Sequence, residues 1–368
     1  MVRLLVTTPT YLSQIAKKEL AHHHYHTRVL SPSILILDAD IADVAYLNMR
    51  SRVANRIYIV LAESKVTDFE SYFQLISHID RSRYIPKWSQ IHTFAWSIQS
   101  ILHHTPSLQS LSKKAIIRNL TWSETKHWTE SDHGLRIQIQ SFLLNDQCYI
   151  CLDTSGHPLH QRWYRLDTGY APLKENLASA LILMSNWTYH LPLYDICCGS
   201  GTICIEWAMI AKNIAPWSLS TFAFEQGEWY DPHIIRQIRQ QAFDHKIEKT
   251  HTIIGSDCDP DVLDYARTNM NRLGLGEIIQ RIQADCQDYS GRAMQGSLIC
   301  NPPYGARLHS DNIKNIYHAI SRLYITNANL TGWCITGYEY ADQYFQTSHF
   351  QPKSLHNWTQ IVTRYQKN

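Results

Sequence analysis

The sequence has 368 residues, 44% of them hydrophobic and 18% charged, which excludes bulk disorder and predicts two or three packed units. Its 34 basic and 32 acidic residues give a formal charge of +2, a balance that neither announces nor excludes a nucleic-acid partner. The opening run Met1–Pro9 is too short for a signal peptide and no later run is long enough to cross a bilayer, so a cytoplasmic chain with no membrane partner is expected.

In chain order, Val2–Thr7 reads as a strand and Tyr11–Leu20 as an amphipathic helix, with Leu12, Ile15, Ala16 and Leu20 on one side. The cluster His22-His23-His24-Tyr25-His26 after it reads as a solvated turn. Ser33–Asp38 and Val53–Leu61 are further strands, and Ile41–Met49 and Phe69–Ile79 further helices. Thr93–Ser100 alternates with period two, and a helix begins near Leu108. Leu135–Leu143 and Gln147–Leu152 then form two paired strands about the turn Leu144-Asn145-Asp146. This alternation predicts small α+β modules. Lys113, Lys114 and Arg118 recur at helical spacing, which suits a phosphate backbone and also an ordinary solvated face.

The nine cysteines show no disulfide framework. Cys148-Tyr149-Ile150-Cys151 has metal-like spacing. In a strand, however, those two side chains face opposite ways and no second pair follows, so no metal is expected. From Gly156 to Arg165 the texture changes to His, Arg and aromatics: His157, His160, Arg162, Trp163, Tyr164, Arg165. Composition reads this as a linker or surface loop, and basic groups among aromatics also suit RNA. The domain boundary belongs here.

Ala171–Ala178 starts a helix, with Pro172 near its first turn. Leu191–Ile196 is a buried strand running into Cys197-Cys198-Gly199-Ser200-Gly201-Thr202, after which Ile203–Ala211 resumes as a helix. Strand, glycine turn, helix opens a doubly wound α/β domain whose ligand lies at the carboxyl ends of the strands. Cys204 occupies the third glycine position of a dinucleotide fingerprint and no Walker lysine follows, which favours a smaller nucleoside ligand. Thr252–Ser256 ends in Asp257-Cys258-Asp259, where an acid grips ribose hydroxyls. The preceding gap predicts an insertion over 215–245, with Phe222–Glu225 as an extra strand and Asp231–Phe243 as a helix. Pro260–Leu273 is the next helix, and Ile279–Gln283 a strand ending at Asp285, an acceptor for an adenine amine. Trp333–Thr336 and Trp358–Tyr365 supply late strands.

Ser297–Cys300 delivers Asn301-Pro302-Pro303-Tyr304-Gly305, which reads as a clamp for a planar amine. Asn301 offers a side-chain carbonyl, and Pro302 a main-chain carbonyl held in a turn stiffened by two prolines. Tyr304 adds a flat face for stacking. Two acceptors and a ring would hold an exocyclic amine with its lone pair aimed at an electrophile.

Several motifs in combination resemble the S-adenosylmethionine-dependent RNA guanine-N2 methyltransferases with an N-terminal THUMP domain, the RlmL-like family. They are Asp195-x-x-Cys198-Gly-Ser-Gly-Thr202-x-x-x-Glu206, Gly255-Ser-Asp257-x-Asp259-Pro260 and Asn301-Pro-Pro-Tyr-Gly-x-Arg307-Leu308. Leu152–Gly156, Leu159–Arg165, Ala171–Ala178, Asn48-x-Arg50 with Arg56, and Phe222–Glu225 extend the likeness over essentially the whole chain. Ile196 stands where the family usually has proline, Trp163 where it has glycine, Trp207 where it has a small residue and Ala306 where it has glutamate.

The resemblance implies a Rossmann-like class I methyltransferase domain over 171–368, preceded by an α+β (ferredoxin-like plus THUMP) RNA-binding region over 1–155 and an interdomain segment over 156–170. It implies S-adenosylmethionine held by Asp195, Cys197, Gly199, Ser200, Gly201, Thr202, Asp257, Asp285 and Asn301. Asn301, Pro302, Pro303 and Tyr304 would hold the target base. Lys113, Lys114, Arg118, Arg162, Arg165 and Arg307 would face RNA, ribosomal RNA being favoured over transfer RNA. Adenine N6 as the target, or a non-catalytic RNA assembly factor, stay open as alternatives.

Overall fold

The structure, a computed structural model, describes the chain apart from residues 81–83, 87–88, 122–133, 166–172, 186, 188–189, 250, 305–309, 347–349, 358–359 and 368. The first part runs β1 (Val2–Thr7), α1 (Ser13–His22), β2 (Arg28–Ser31), β3 (Ile34–Ala39), α2 (Asp43–Arg50), β4 (Arg56–Lys65), α3 (Phe69–Ser77), β5 (Ser89–Ile98), α4 (Thr105–Thr121), β6 (Leu135–Leu144) and β7 (Gln147–Asp153). These strands share one seven-stranded sheet in the order β2-β3-β1-β4-β7-β6-β5, in which only the β5–β6 pair is parallel. The β6–β7 turn is tight because Asn145 (φ 51) and Asp146 (φ 64) both take the left-handed conformation that a two-residue hairpin requires.

Period-two alternation sorts the side chains of this sheet. Ile57, Ile59, Ile91, Ile139 and Ile150 pack under the helices with Leu108 and Ile116. Leu5, Ile36, Tyr58, Phe142 and Tyr149 make a smaller cluster to which only strands contribute. Cys148 falls in the first cluster and Cys151 in the second, so the cysteine pair does point to opposite faces.

The second part runs α5 (Glu175–Met184), β8 (Leu193–Asp195), α6 (Thr202–Ala211), α7 (Pro232–Asp244), β9 (Ile253–Asp257), α8 (Pro260–Arg272), β10 (Ile279–Gln283), β11 (Gly296–Cys300), α9 (Ser310–Thr326), β12 (Leu330–Thr336), β13 (Phe350–Asn357) and β14 (Gln360–Lys367). Its seven-stranded sheet has the order β10-β9-β8-β11-β12-β14-β13, parallel from β10 to β12, with β14 antiparallel. The chain winds outward from β8 to β10 and returns to β11 on the other side of β8. The β8–β11 boundary is therefore the topological switch point, where doubly wound sheets leave a crevice. Asp231 and Asp259 cap α7 and α8, each followed by a proline in the first turn, which fixes both helix starts.

Two expectations change. Phe222–Glu225 does not form a strand: Ala223–Gln226 is a 3-10 turn, closed by Glu225 accepting the Phe222 N–H at 2.9 Å. The predicted insertion also belongs to the first part's core. Trp217, Phe222, Phe224, Tyr230 and Ile235 pack into the cluster beneath the first sheet. Main-chain bonds from Ala223 and Phe224 to Ser155 and Thr154 tie them there. In exchange, Leu12, Ala16, Leu35 and Val53 join the cluster around α5 and α6. The helix α9 and the strands β2 and β13 had no counterpart in the sequence reading. Among the described residues no helix is long and apolar enough to cross a membrane.

Candidate active site

A cleft of about 360 Å³ opens at the carboxyl ends of the parallel strands, a size suited to one small ligand. Asp195, Cys197, Gly199, Ser200 and Thr202 line it from the turn after β8. Asp257 and Asp285 line it from the ends of β9 and β10, and Asn301, Pro302, Pro303 and Tyr304 from the end of β11. Consecutive parallel strands thus bring together residues that lie far apart in the chain.

The two glycines of the turn do different work. Gly199 takes φ +50, and a Cβ built on it would meet nothing within 4 Å, so its backbone lies open to a ligand. Gly201, expected to touch the ligand, does not line the cleft. At φ +82 its Cβ would fall 2.9 Å from Met270 Cε and 3.2 Å from Ala266 Cβ. Its glycine character also serves the close packing of α6 on α8.

The acids are tied to the backbone they sit beside. Asp257 accepts the Gly199 N–H at 2.9 Å and the Asp259 N–H at 3.1 Å, which holds the turn against β9. Burial raises its carboxyl above the usual range. Asp195 is 1% exposed, accepts from the Cys197 N–H at 3.3 Å, and is pushed well up by burial. Asp285 accepts from the Gln287 N–H at 2.9 Å, capping a short 3-10 turn. The half-buried Cys197 thiol is also pushed well above its usual value, first by the neighbouring Cys286 thiol and then by desolvation.

Asn301 carries the most telling observation. Its side-chain oxygen is buried and has no hydrogen-bond partner among the described residues. An unsatisfied buried acceptor costs about 1–3 kcal/mol, a cost that a ligand N–H at the cleft wall would remove. Beside it, the Pro303 carbonyl accepts from Tyr317 Oη at 3.4 Å, so α9 helps hold the turn. Open backbone at Gly199, acids on two neighbouring strands and an orphaned amide acceptor together suit a nucleoside ligand and a planar amine. Asn312 and Ile316 of α9 line the cleft as well, and the sequence reading missed them.

Two of the expected RNA-facing cations are internal. Arg162 is 2% exposed, and its guanidinium donates to Glu206 at 3.3 Å, to the Arg52 carbonyl at 2.7 Å and to the Leu159 carbonyl. Tyr164 and Ser179 donate to the same Glu206 carboxylate. Arg165 pairs with Glu175 at 3.0 Å and donates to the Leu173 carbonyl and to Thr202 Oγ1 at 2.7 Å. Both are spent on buried acids and carbonyls, so neither offers its charge to a polymer. The signal was in the sequence: Glu175 and Glu206 sit inside apolar helical stretches, and buried acids require cations. By contrast, Lys114 and Arg118 on α4 are exposed and Lys113 is half-buried. Arg307 lies outside the described residues. Among the described residues no group of three or more His, Cys, Asp or Glu side chains comes together as a metal site.

Comparison with known proteins gives consistent matches. The family described as "RMKL-like, methyltransferase domain" matches residues 162–343. The chain is 34% identical over 308 residues to "Putative RNA methyltransferase YpsC" of Bacillus subtilis (strain 168), covering 83% of this chain and 80% of that protein. It is 28% identical over 339 residues to "Ribosomal RNA large subunit methyltransferase K/L" of Hahella chejuensis, covering 87% of this chain but 46% of that longer protein. The crystal structure of SMU.472 complexed with SAH superposes with a TM-score of 0.88 at 32% identity, covering 100% of this chain and 97% of the other. A structure described as a "predicted N6-adenine-specific DNA methylase" from Listeria monocytogenes superposes with a TM-score of 0.90 at 30% identity, covering 100% and 96%.

Proposed function

The chain belongs to the RMKL-like methyltransferase family, and from that premise we propose that it moves a methyl group from S-adenosylmethionine to the exocyclic N2 amine of a guanosine in RNA, most readily 23S ribosomal RNA. The buried, unpartnered Asn301 oxygen beside Pro302 and Tyr304 carries this reading. The SAH complex of SMU.472 supports the cofactor. The names of YpsC and of the K/L enzyme support RNA, and the latter supports the ribosomal target, although this chain spans 46% of that protein. An RNA substrate implies a cytoplasmic setting.

Bound S-adenosylmethionine supplies a sulfonium methyl that is already a good electrophile. The chain's task is then placement. Gly199 and Ser200 would hold the cofactor's methionine portion, Asp257 its ribose hydroxyls and Asp285 its adenine amine. Asn301 Oδ1 and the Pro302 carbonyl would accept hydrogen bonds from the target amine and so aim its lone pair at the methyl; the N–methyl bond forms as the sulfonium C–S bond breaks, and the surplus amine proton leaves to water. Tyr304 stacks on the base. Fixing two reactants in line supplies most of the acceleration such a transfer requires.

For the polymer, a groove of about 510 Å³ at the β5 edge of the first sheet, between its strand-only face, α4 and neighbouring loops, supports an RNA path. Phe94 and Trp96 offer rings over the buried Phe142, Gln109 and Gln140 amides, and Lys174 a cation. Rings for stacking and a cation for phosphate are the usual means of holding single-stranded RNA. Lys174 borders this groove and its neighbour Leu173 borders the cleft, so one strand can reach from one to the other.

The Listeria structure's description favours a second reading, methylation of adenine N6, because the clamp accepts either amine. Incubation with S-adenosylmethionine and separate pools of unmodified ribosomal and transfer RNA, followed by mass spectrometry of the nucleosides, distinguishes them. The expected product is N2-methylguanosine in the ribosomal pool. The same product in transfer RNA alone would move the substrate, and N6-methyladenosine would move the target. No product and no cofactor binding by calorimetry would leave a non-catalytic RNA-binding factor.

A further inference from the structure

Tyr304 has two sides. One lines the cleft, and the other rests on the chain just beyond β12. A Cβ built on Gly337 would lie 2.8 Å from Tyr304 Cε2 and 3.0 Å from Cδ2, well inside the separation at which carbon atoms pack. The backbone of Gly337 is outside the left-handed region, so its conformation does not demand glycine. The ring does.

The Gly337 segment is held in place, so a ring pressed from that side moves towards the cleft. Thr336 Oγ1 accepts the Tyr338 N–H at 2.9 Å and is hydrogen-bonded to the Tyr317 hydroxyl, and Tyr317 also reaches the Pro303 carbonyl at 3.4 Å. The Tyr338 ring packs against Tyr317 with centroids 4.9 Å apart. Residues on both sides of Gly337 and on the Tyr304 turn are thus bound to one buried tyrosine of α9. Register explains the meeting: Cys300 and Cys334 are partners on β11 and β12, so the segments leaving the two strands emerge side by side.

We propose that Gly337 is a positioning residue for methyl transfer, its missing side chain fixing how deep the Tyr304 ring sits and so where the stacked base presents its amine to Asn301. The inference rests on the stacking role given to Tyr304 above. A ring displaced by the width of a methyl group shifts the accepting nitrogen out of line, and misplacement of about 1 Å can cost on the order of a hundredfold in rate.

The test is a double-variant cycle of Gly337→Ala and Tyr304→Ala, read as kcat and KM on the methylated RNA pool, cofactor affinity by calorimetry, and Tm. Gly337→Ala is expected to lower kcat about tenfold to a hundredfold, with KM and cofactor affinity within about threefold. In the Tyr304→Ala background the same replacement is expected to change kcat by less than about twofold, because groups acting through one contact are coupled. An equal loss in both backgrounds, or none with Tyr304 present, overturns the positioning role. Unchanged kcat in Tyr304→Ala alone overturns the stacking role and with it the basis of the inference. If Gly337→Ala fails to fold, Tm decides: recovery in the double variant upholds the ring contact, and no recovery refutes it.

Discussion

The two seven-stranded sheets differ in what they leave uncovered. The second is parallel through most of its width, and buried side chains from α5, α6, α8 and α9 cover it within two clusters. Such a sheet offers a ligand only its rim, and apart from Leu173 ahead of α5 the described lining residues of the cleft sit at a strand's carboxyl end or on a helix facing it. The first is antiparallel except at β5–β6 and packs its helices on one face. Its other face, built by strands alone, borders a broad groove with half-exposed rings. A small cleft at a strand rim and a broader groove beside an uncovered face thus follow from strand direction and from which faces are covered.

The largest expected effect crosses both sheets. Arg162→Ala leaves Glu206 buried without its ion partner and removes the donor to the Arg52 carbonyl. A loss of about 3–5 kcal/mol is expected, read as an earlier single transition in denaturant. Exposed Arg118→Ala should stay within about 0.5 kcal/mol. Equal, small effects would return Arg162 to the surface. Within the second sheet, Asn301→Ala should lower turnover about a hundredfold to a thousandfold with cofactor affinity and Tm little changed. Near-normal turnover would remove the amine clamp. Within the first, Trp96→Ala should weaken RNA binding by about 1–3 kcal/mol while sparing turnover at saturating RNA. If affinity instead follows Lys114 and Arg118, RNA lies on the helical face.

Strands and helices with a clean period were legible before any coordinates. Ile279–Gln283 forms as read, and Val2–Thr7 does too. The cleft was legible because its acids and its clamp stand at or just after the ends of successive strands in the sequence. What failed did so for tertiary reasons. Phe222–Glu225 has the apolar texture of a strand, yet its rings fill the core of the other part, where a turn suffices. Arg162 and Arg165 read as surface cations because their acids lie ten or more positions away in helices that the local pattern treats as apolar. The helix α9 was passed over beside the motif that drew attention to itself, and Tyr317 went with it.

The crossed packing also constrains how such a chain can change over evolutionary time. Residues 215–245 lie in sequence within the methyltransferase part but pack with the sheet of the first part, while Leu12 and Val53 do the reverse. A recombination event that exchanged the first 155 residues for another recognition module would strip Trp217, Phe222 and Phe224 of the core they fill. The excised module would lose its floor in the same step. The crossed packing thus ties the two parts into one folding unit.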